Sequence, residues 1–154
     1  FLPLFRKMKN IDYTTADLLS PIADVKMDVQ NMPFQNGTYD VVFCNHVLEH
    51  VPDDKKALSE IYRVLKRDGF GIMQVPLRSD WPKTLEDPSI TDREERIRLF
   101  GQYDHLRMYG TDYPERLEEI GFKVETYDIS AHLSEEEFKR YALPKGEMLY
   151  IVRK

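Results

Sequence analysis

The sequence predicts an α/β domain whose sheet is mostly parallel and closes in an antiparallel pair at its C-terminal end. Three observations predict it. Residues 39–44 (YDVVFC) and 70–75 (FGIMQV) are nearly unbroken apolar runs, the pattern of strands covered on both faces and hence of a parallel sheet. Between them Ala57, Leu58, Ile61, Val64 and Leu65 recur at helical spacing. Strand-like and helix-like segments alternate along the chain and end on two strand-like segments, residues 122–129 and 147–153. With 154 residues, 42% of them hydrophobic, the chain fits one domain with a real core.

Taken in order, residues 1–8 mix apolar and basic residues and read as the end of a helix. Residues 11–17 are rich in β-formers and predict a short strand ending at Asp17. Pro21 lies in a turn, and residues 23–28 alternate as a second short strand ending at Asp28. The Asn36-Gly37 turn leads into the strand at 39–44. Asp53 or Asp54 can cap a helix over residues 54–66, with Lys66, Arg67 and Gly69 as its charge and stop signals. The strand at 70–75 closes on Pro76. Residues 77–113 form a long polar insertion. Within it Thr91 and Glu94 suggest a capping box for a helix to Phe100, stopped by Gly101. Pro114 opens a short helix stopped by Gly121, and Ser134 with Glu137 suggests a second capping box, for a helix to Tyr141.

Composition excludes several classes. The net charge of -5 and pI near 5.4 argue against a surface that tracks phosphates, so no nucleic-acid partner is expected. No apolar run reaches the roughly 20 residues of a membrane span. The single cysteine, Cys44, cannot form an internal disulfide and agrees with a reducing cytoplasm. The first of the 7 glycines is Gly37, so no Gly-x-Gly-x-x-Gly loop stands between a first strand and a first helix. A serine hydrolase is excluded by the lack of a Gly-x-Ser-x-Gly elbow.

Ligands of open α/β sheets gather at the carboxyl ends of the strands. Here those ends carry Asp17, Asp28 and Asn45-His46. A carboxylate at such a place can accept hydrogen bonds from a ribose diol or an adenine amino group; equally, Asp is an ordinary turn residue. His46, Glu49 and His50 are metal-ligand types at helical spacing. No second cluster completes a site near them, His105 and His132 being far away in sequence, and no metal is expected. Cys44, inside an apolar strand, reads as inert packing. Residues 100–110 (FGQYDHLRMYG) crowd Gln102, Tyr103, Asp104, His105, Arg107 and Tyr109 between two glycines. Such a loop either contacts substrate or is pinned by its own charges and rings.

The ordered series of residues 28–34 (DVQNMPF), 38–43 (TYDVVF), 46–51 (HVLEHV) and 57–69 (ALSEIYRVLKRDG) closely resembles the class I S-adenosylmethionine-dependent methyltransferases of the type-11 or UbiE-like group. The likeness is dense over residues 12–76. It implies a Rossmann-like methyltransferase sheet, S-adenosylmethionine as cofactor, and methyl transfer to an acceptor that the sequence does not identify. It implies that Asp17 holds the ribose hydroxyls, that Asp28 contacts the adenine amino group with Val29 beside the ring, and that Asn45 and His46 lie near the methionine part. His105 is then the candidate base or acceptor contact, with Asp104, Arg107 and Tyr109 as substrate-side neighbours.

The family's first strand and glycine-rich loop have no counterpart in this sequence, so residues 1–154 are expected to be an N-terminally truncated methyltransferase domain. Loss of a central strand leaves unpaired edges. The expected remedies are pairing of the 11–17 strand with the 39–44 strand, or a homodimer that completes the sheet. A non-catalytic fragment acting through dimerisation is the alternative function.

Overall fold

The computed structural model describes residues 2–143 and 146–154; Phe1, in the expected first helix, lies outside them. After a helical turn, α1 (Leu2–Phe5), come two strands of two residues each, β1 (Ala16–Asp17) and β2 (Val25–Lys26), paired in parallel as a small sheet of their own. Both are far shorter than the predicted strands at 11–17 and 23–28. Carboxylates fix the backbone inside and just beyond these segments. Asp24 accepts from the Thr15 N–H and hydroxyl, Asp17 from the Leu19 and Ser20 N–H groups, and Asp28 from the Gln30 N–H.

The central sheet follows. β3 (Tyr39–Asn45) leads through a turn to α2 (Asp54–Val64) and directly into β4 (Leu65–Gln74). Asp53 is the cap of α2, accepting from the Lys56 N–H. The helix stops two residues short of the predicted Lys66, because Leu65 is already extended. Its last carbonyls are met by other groups: Gly37 N–H and Lys154 Nζ donate to Arg63 O, and Lys154 Nζ also to Leu65 O. Gly69 therefore ends no helix. It sits in β4, where the register against β3 shifts and a Cβ would come within 2.9 Å of Asp40 O.

The insertion holds β5 (Leu85–Glu86), α3 (Arg93–Phe100) and β6 (Arg107–Met108). Asp92, not Thr91, caps α3, and Gly101 ends it at φ 87°. Then come α4 (Tyr113–Glu118), β7 (Lys123–Asp128), α5 (Glu135–Tyr141) with its capping box of Ser134 and Glu137, and β8 (Met148–Arg153).

The sheet order is β3-β4-β8-β7. β3 and β4 run parallel, and β8 is antiparallel to both β4 and β7. The buried Gln74 extends the β4–β8 seam with its side chain, donating to Met148 O and accepting from the Tyr150 N–H. Ala57, Leu58, Ile61 and Val64 of α2 meet Cys44, Met73, Tyr109, Tyr113 and Val152 in one core. Burial pushes the Cys44 thiol up to about 12, with Glu49 adding to it, as inert packing requires.

The expected pairing of residues 11–17 with 39–44 is not formed. β1 pairs only with β2, and among the described residues β3 pairs only with β4. A two-residue β1 is too short to run along β3. Aromatic rings lie beside that edge instead: Phe5 is 6.2 Å from the half-exposed Phe43 and 5.2 Å from Tyr13 between ring centroids.

Candidate active site at the carboxyl ends of the strands

Asp17 ends β1, and Asp28 lies just past the end of the adjacent parallel strand β2. Both are exposed. Asp17 Oδ1 accepts from two backbone N–H groups at 2.7 Å, and these bonds, Ser20 first and then Leu19, hold its carboxyl below the usual carboxylate range. Asp28 is held low chiefly by the Gln30 backbone N–H, then by the Gln30 amide. Gln30 also accepts from the Asp53 N–H through Oε1 at 3.0 Å. One amide thus ties the Asp28 turn to the entrance of α2. Val29 is half-buried against the core.

β3 ends at Asn45, and the chain leaves it through His46 at φ 54°, a left-handed conformation uncommon for a residue with a side chain. The His46 N–H still donates to Gln74 O at 2.8 Å. The reversal leaves Asn45 and His46 exposed and sends Leu48 and Glu49 inward, both buried.

The fold also joins what the sequence kept apart. His105 comes from the insertion to pack edge-to-face on His50, with ring centroids 4.7 Å apart. His50 Nδ1 lies 3.4 Å from Asp104 Oδ2, and Glu49 Oε1 lies 3.5 Å from His46 Nδ1 and 3.9 Å from His50 Nε2. His105 is only 8% exposed, and its Nδ1 lies 2.8 Å from Phe100 O. A carbonyl can only accept, so that nitrogen is the donor and Nε2 is the ring nitrogen left for another partner. Glu49, His50 and His105 each offer a ligand atom, all within 4.8 Å of one another. The expectation that no cluster completes a metal site rested on distance in sequence, which the insertion closes.

Arg107 and Tyr109, expected on the substrate side, are engaged by the chain itself. Arg107 is 3% exposed. Its Nη1 donates to Leu48 O and Val51 O at 2.6 Å, its Nη2 to Pro52 O, and its Nε to Glu86 Oε2. Tyr109 is fully buried and donates its hydroxyl to Asp54 Oδ2 at 2.7 Å; burial first, and then Asp54, raise its phenol far above the usual range. Asp54 also receives both arms of the Arg116 guanidinium at 2.7 Å. Burial opposes its charge, but Arg116, Tyr109 and Arg107 together outweigh that and hold its carboxyl low.

These bonds fasten the insertion to the turn bearing Glu49 and His50. Leu106 N–H donates to Glu49 O, and Tyr109 O accepts from Arg78 N–H. Gly110 passes so close to the 81–84 turn that a Cβ would meet Lys83 C at 2.5 Å. Sequence reading missed Asp54, Glu86 and Arg116 as a network. The only signal was a second Asp directly after the cap.

Residues 5–73 match the sequence family described as "Methyltransferase domain". The chain is 28% identical over 106 residues to a sarcosine/dimethylglycine N-methyltransferase of Halorhodospira halochloris, an alignment covering 67% of this chain and 34% of that protein. It is 34% identical over 110 residues to the sterol 24-C-methyltransferase erg6 of Schizosaccharomyces pombe, covering 70% of this chain and 28% of that one. The chain thus spans about a third or less of the length of these curated relatives. A solved S-adenosylmethionine-dependent methyltransferase of Archaeoglobus fulgidus matches 99% of this chain and 80% of its own, with TM-score 0.60 and 16% identity. The 1,6-didemethyltoxoflavin-N1-methyltransferase of Burkholderia thailandensis, solved with 1,6-didemethyltoxoflavin and S-adenosylhomocysteine bound, matches 90% of this chain and 59% of its own, with TM-score 0.58 and 15% identity. At such identities the likeness is one of fold.

Proposed function

We propose, from the match of residues 5–73 to the methyltransferase-domain family and the likeness of fold, that the chain is a class I S-adenosylmethionine-dependent methyltransferase, that it binds S-adenosylmethionine across the ends of β1, β2 and β3, and that it takes part in methyl transfer to an acceptor held by the insertion. The observation that carries the proposal is the pair Asp17 and Asp28. They are exposed, ionised carboxylates at the ends of two parallel strands, each fixed by bonds to its own turn.

That donor and acceptor set suits the cofactor. Asp17 Oδ1 is engaged by its own turn, and in this proposal Oδ2 accepts from a ribose diol. Asp28 is a hydrogen-bond acceptor for an adenine amino group, with the apolar Val29 next to it for the ring. Asn45 and His46, both exposed where the chain leaves β3, are assigned to the methionine part in this proposal.

When bound, S-adenosylmethionine supplies a methyl group on a sulfonium, whose carbon–sulfur bond breaks as an acceptor's lone pair takes the methyl and the sulfur keeps the bonding electrons. The chain's contribution is alignment, the main source of rate in such a displacement. Asp104 and His105 stand on the insertion, on the acceptor side in this proposal. Arg107 and Tyr109 act behind them by holding the insertion in place.

Calorimetric titration tests the proposal. Saturable binding of S-adenosylmethionine or S-adenosylhomocysteine is expected. Asp28→Ala or Asp17→Ala removes a hydrogen bond to a charged group, worth about 1.5–3 kcal/mol, or about one to two decades in affinity. His105→Ala should lower turnover more than cofactor affinity. No heat at millimolar cofactor, or unchanged affinity in both Asp variants, would refute it. The single-sided pairing of β3 among the described residues favours a second reading, in which the chain acts by association through that edge.

A further inference from the structure

We propose that Glu49, His50 and His105 bind one divalent transition-metal ion, with zinc the best match to the donors. Two imidazoles and one carboxylate, with a side open to solvent, make the ligand set of a zinc site that keeps a coordination position free.

Four observations converge. The ligand atoms lie within 4.8 Å of one another. Around a tetrahedral ion with bonds of about 2.0–2.2 Å, ligand atoms stand about 3.4 Å apart, so the widest pair closes in by about 1.4 Å at most, with the partly exposed His50 as the side chain that moves.

Second, Glu49 is 1% exposed, and its Oε2 has no hydrogen-bond partner among the described residues. A buried carboxylate oxygen without a partner is costly. The imidazoles nearest Glu49 Oε1, at 3.5 and 3.9 Å, stand beyond hydrogen-bond length. A cation would satisfy this carboxylate.

Third, both imidazoles are already oriented from behind. His105 Nδ1 donates to Phe100 O at 2.8 Å, and His50 Nδ1 faces Asp104 Oδ2 at 3.4 Å. Metal-bound histidines are held in this way, the far nitrogen on a carbonyl or carboxylate and the near one on the metal. The free nitrogens are the two Nε2 atoms.

Fourth, the backbone is pinned from both sides: Leu106 N–H donates to Glu49 O, and Arg107 holds the carbonyls of Leu48, Val51 and Pro52. The cluster is buried at Glu49 and His105, and its opening to solvent is at His50, whose side chain is 34% exposed. An ion here would keep its free position on that side. That this side receives the methyl acceptor rests on the proposed function; the binding of the ion does not.

The test uses the whole chain, stripped of metal by chelator and checked for native circular dichroism. Co2+ is titrated in and followed by its visible d–d absorption, and then displaced by Zn2+. One Co2+ per chain, displaced one for one by Zn2+, is expected. Glu49→Gln, His50→Asn and His105→Gln should each weaken Zn2+ affinity by about a hundredfold or more, beyond the 10–100-fold of lost outer-shell partners. His132→Ala, whose ring stacks on Tyr127, should change nothing. If the buried variants fail to fold, His50→Asn alone decides, since its side chain is partly exposed. No stoichiometric uptake by the folded chain, or uptake unchanged in His50→Asn, overturns the proposal. Neither result bears on cofactor binding, which calorimetry reads separately.

Discussion

Replacing Asp54 by alanine should destabilise this domain more than any other single loss of a carboxylate. Asp54 is 1% exposed and accepts three hydrogen bonds of 2.7 Å, two from Arg116 and one from Tyr109, with Arg107 Nε at 3.8 Å. Without it, the one carboxylate left to the two largely buried guanidiniums among the described residues is Glu86, whose side chain is 41% exposed, although Arg107 keeps its three backbone carbonyls. Removing one partner from a buried charge cluster costs about 3–5 kcal/mol. For a chain of this size each kcal/mol moves Tm by about 2–4 °C, so a drop of about 6–20 °C is expected. Tyr109→Phe removes one hydroxyl and leaves the Arg116 fork intact, so its cost is that of one hydrogen bond to a charged group, about 1.5–3 kcal/mol. Asp40→Ala removes an exposed partner of Lys66, worth about 0–1 kcal/mol. Urea unfolding at pH 7 reads all three. The acid limb adds an independent check. The folded carboxyl is held below its ordinary value, so its stabilisation is complete above the unfolded value of about 3.9 and is lost as pH falls through the lower folded value. The gap between wild type and Asp54→Ala should therefore stay constant from neutral pH to about pH 5 and shrink below about pH 4. A cost for Asp54→Ala near that of Asp40→Ala, or a gap that does not narrow in acid, would refute the reasoning.

Gly110→Ala should cost about 1–3 kcal/mol by overpacking, because its Cβ would meet main-chain atoms of Lys83 and Trp81 that cannot rotate away; a chain as stable as wild type in urea would show that the 81–84 turn yields. The one-sided pairing of β3 leads us to expect concentration-dependent self-association in light scattering, since a free edge offers a row of donors and acceptors to a second strand. A monomer at two concentrations tenfold apart would count against association through that edge.

The frame was legible because its signals are local and strong. The apolar runs at 39–44 and 70–75 became the parallel pair β3 and β4, and the helical spacing of Ala57, Leu58, Ile61 and Val64 became the buried face of α2. What failed lay where side chains compete with the backbone. The β-formers of 11–17 and the alternation of 23–28 favour strands, yet only two residues of ladder form in each, and Asp24 takes the Thr15 N–H next to β1. The basic run of Lys66 and Arg67 looks like a helix end. In the fold Lys66 pairs with Asp40 across the strands, and Lys154, from the far end of the chain, meets the last helical carbonyls. A partner so distant in sequence leaves no periodicity to read.

The same contrast separates the two halves of the site. Asp17, Asp28, Asn45 and His46 stand at strand ends, so placing the strands places them. The insertion obeys no such rule, and its density of polar residues was consistent with substrate contact or with self-pinning. The structure divides it by burial. Arg107 and Tyr109 are sealed in and bonded to groups of the same chain, while the half-exposed Asp104 and the buried His105 both meet the partly exposed His50. A polar side chain whose every strong partner lies in its own chain has little left to offer a ligand. A buried carboxylate oxygen with no partner is in the opposite position. Glu49, on the turn that the insertion packs against, rather than Arg107 within the insertion, is therefore where the structure points to chemistry, although its sequence neighbourhood, an ordinary Leu-Glu-His-Val turn, singles it out far less than the crowded 100–110 segment does.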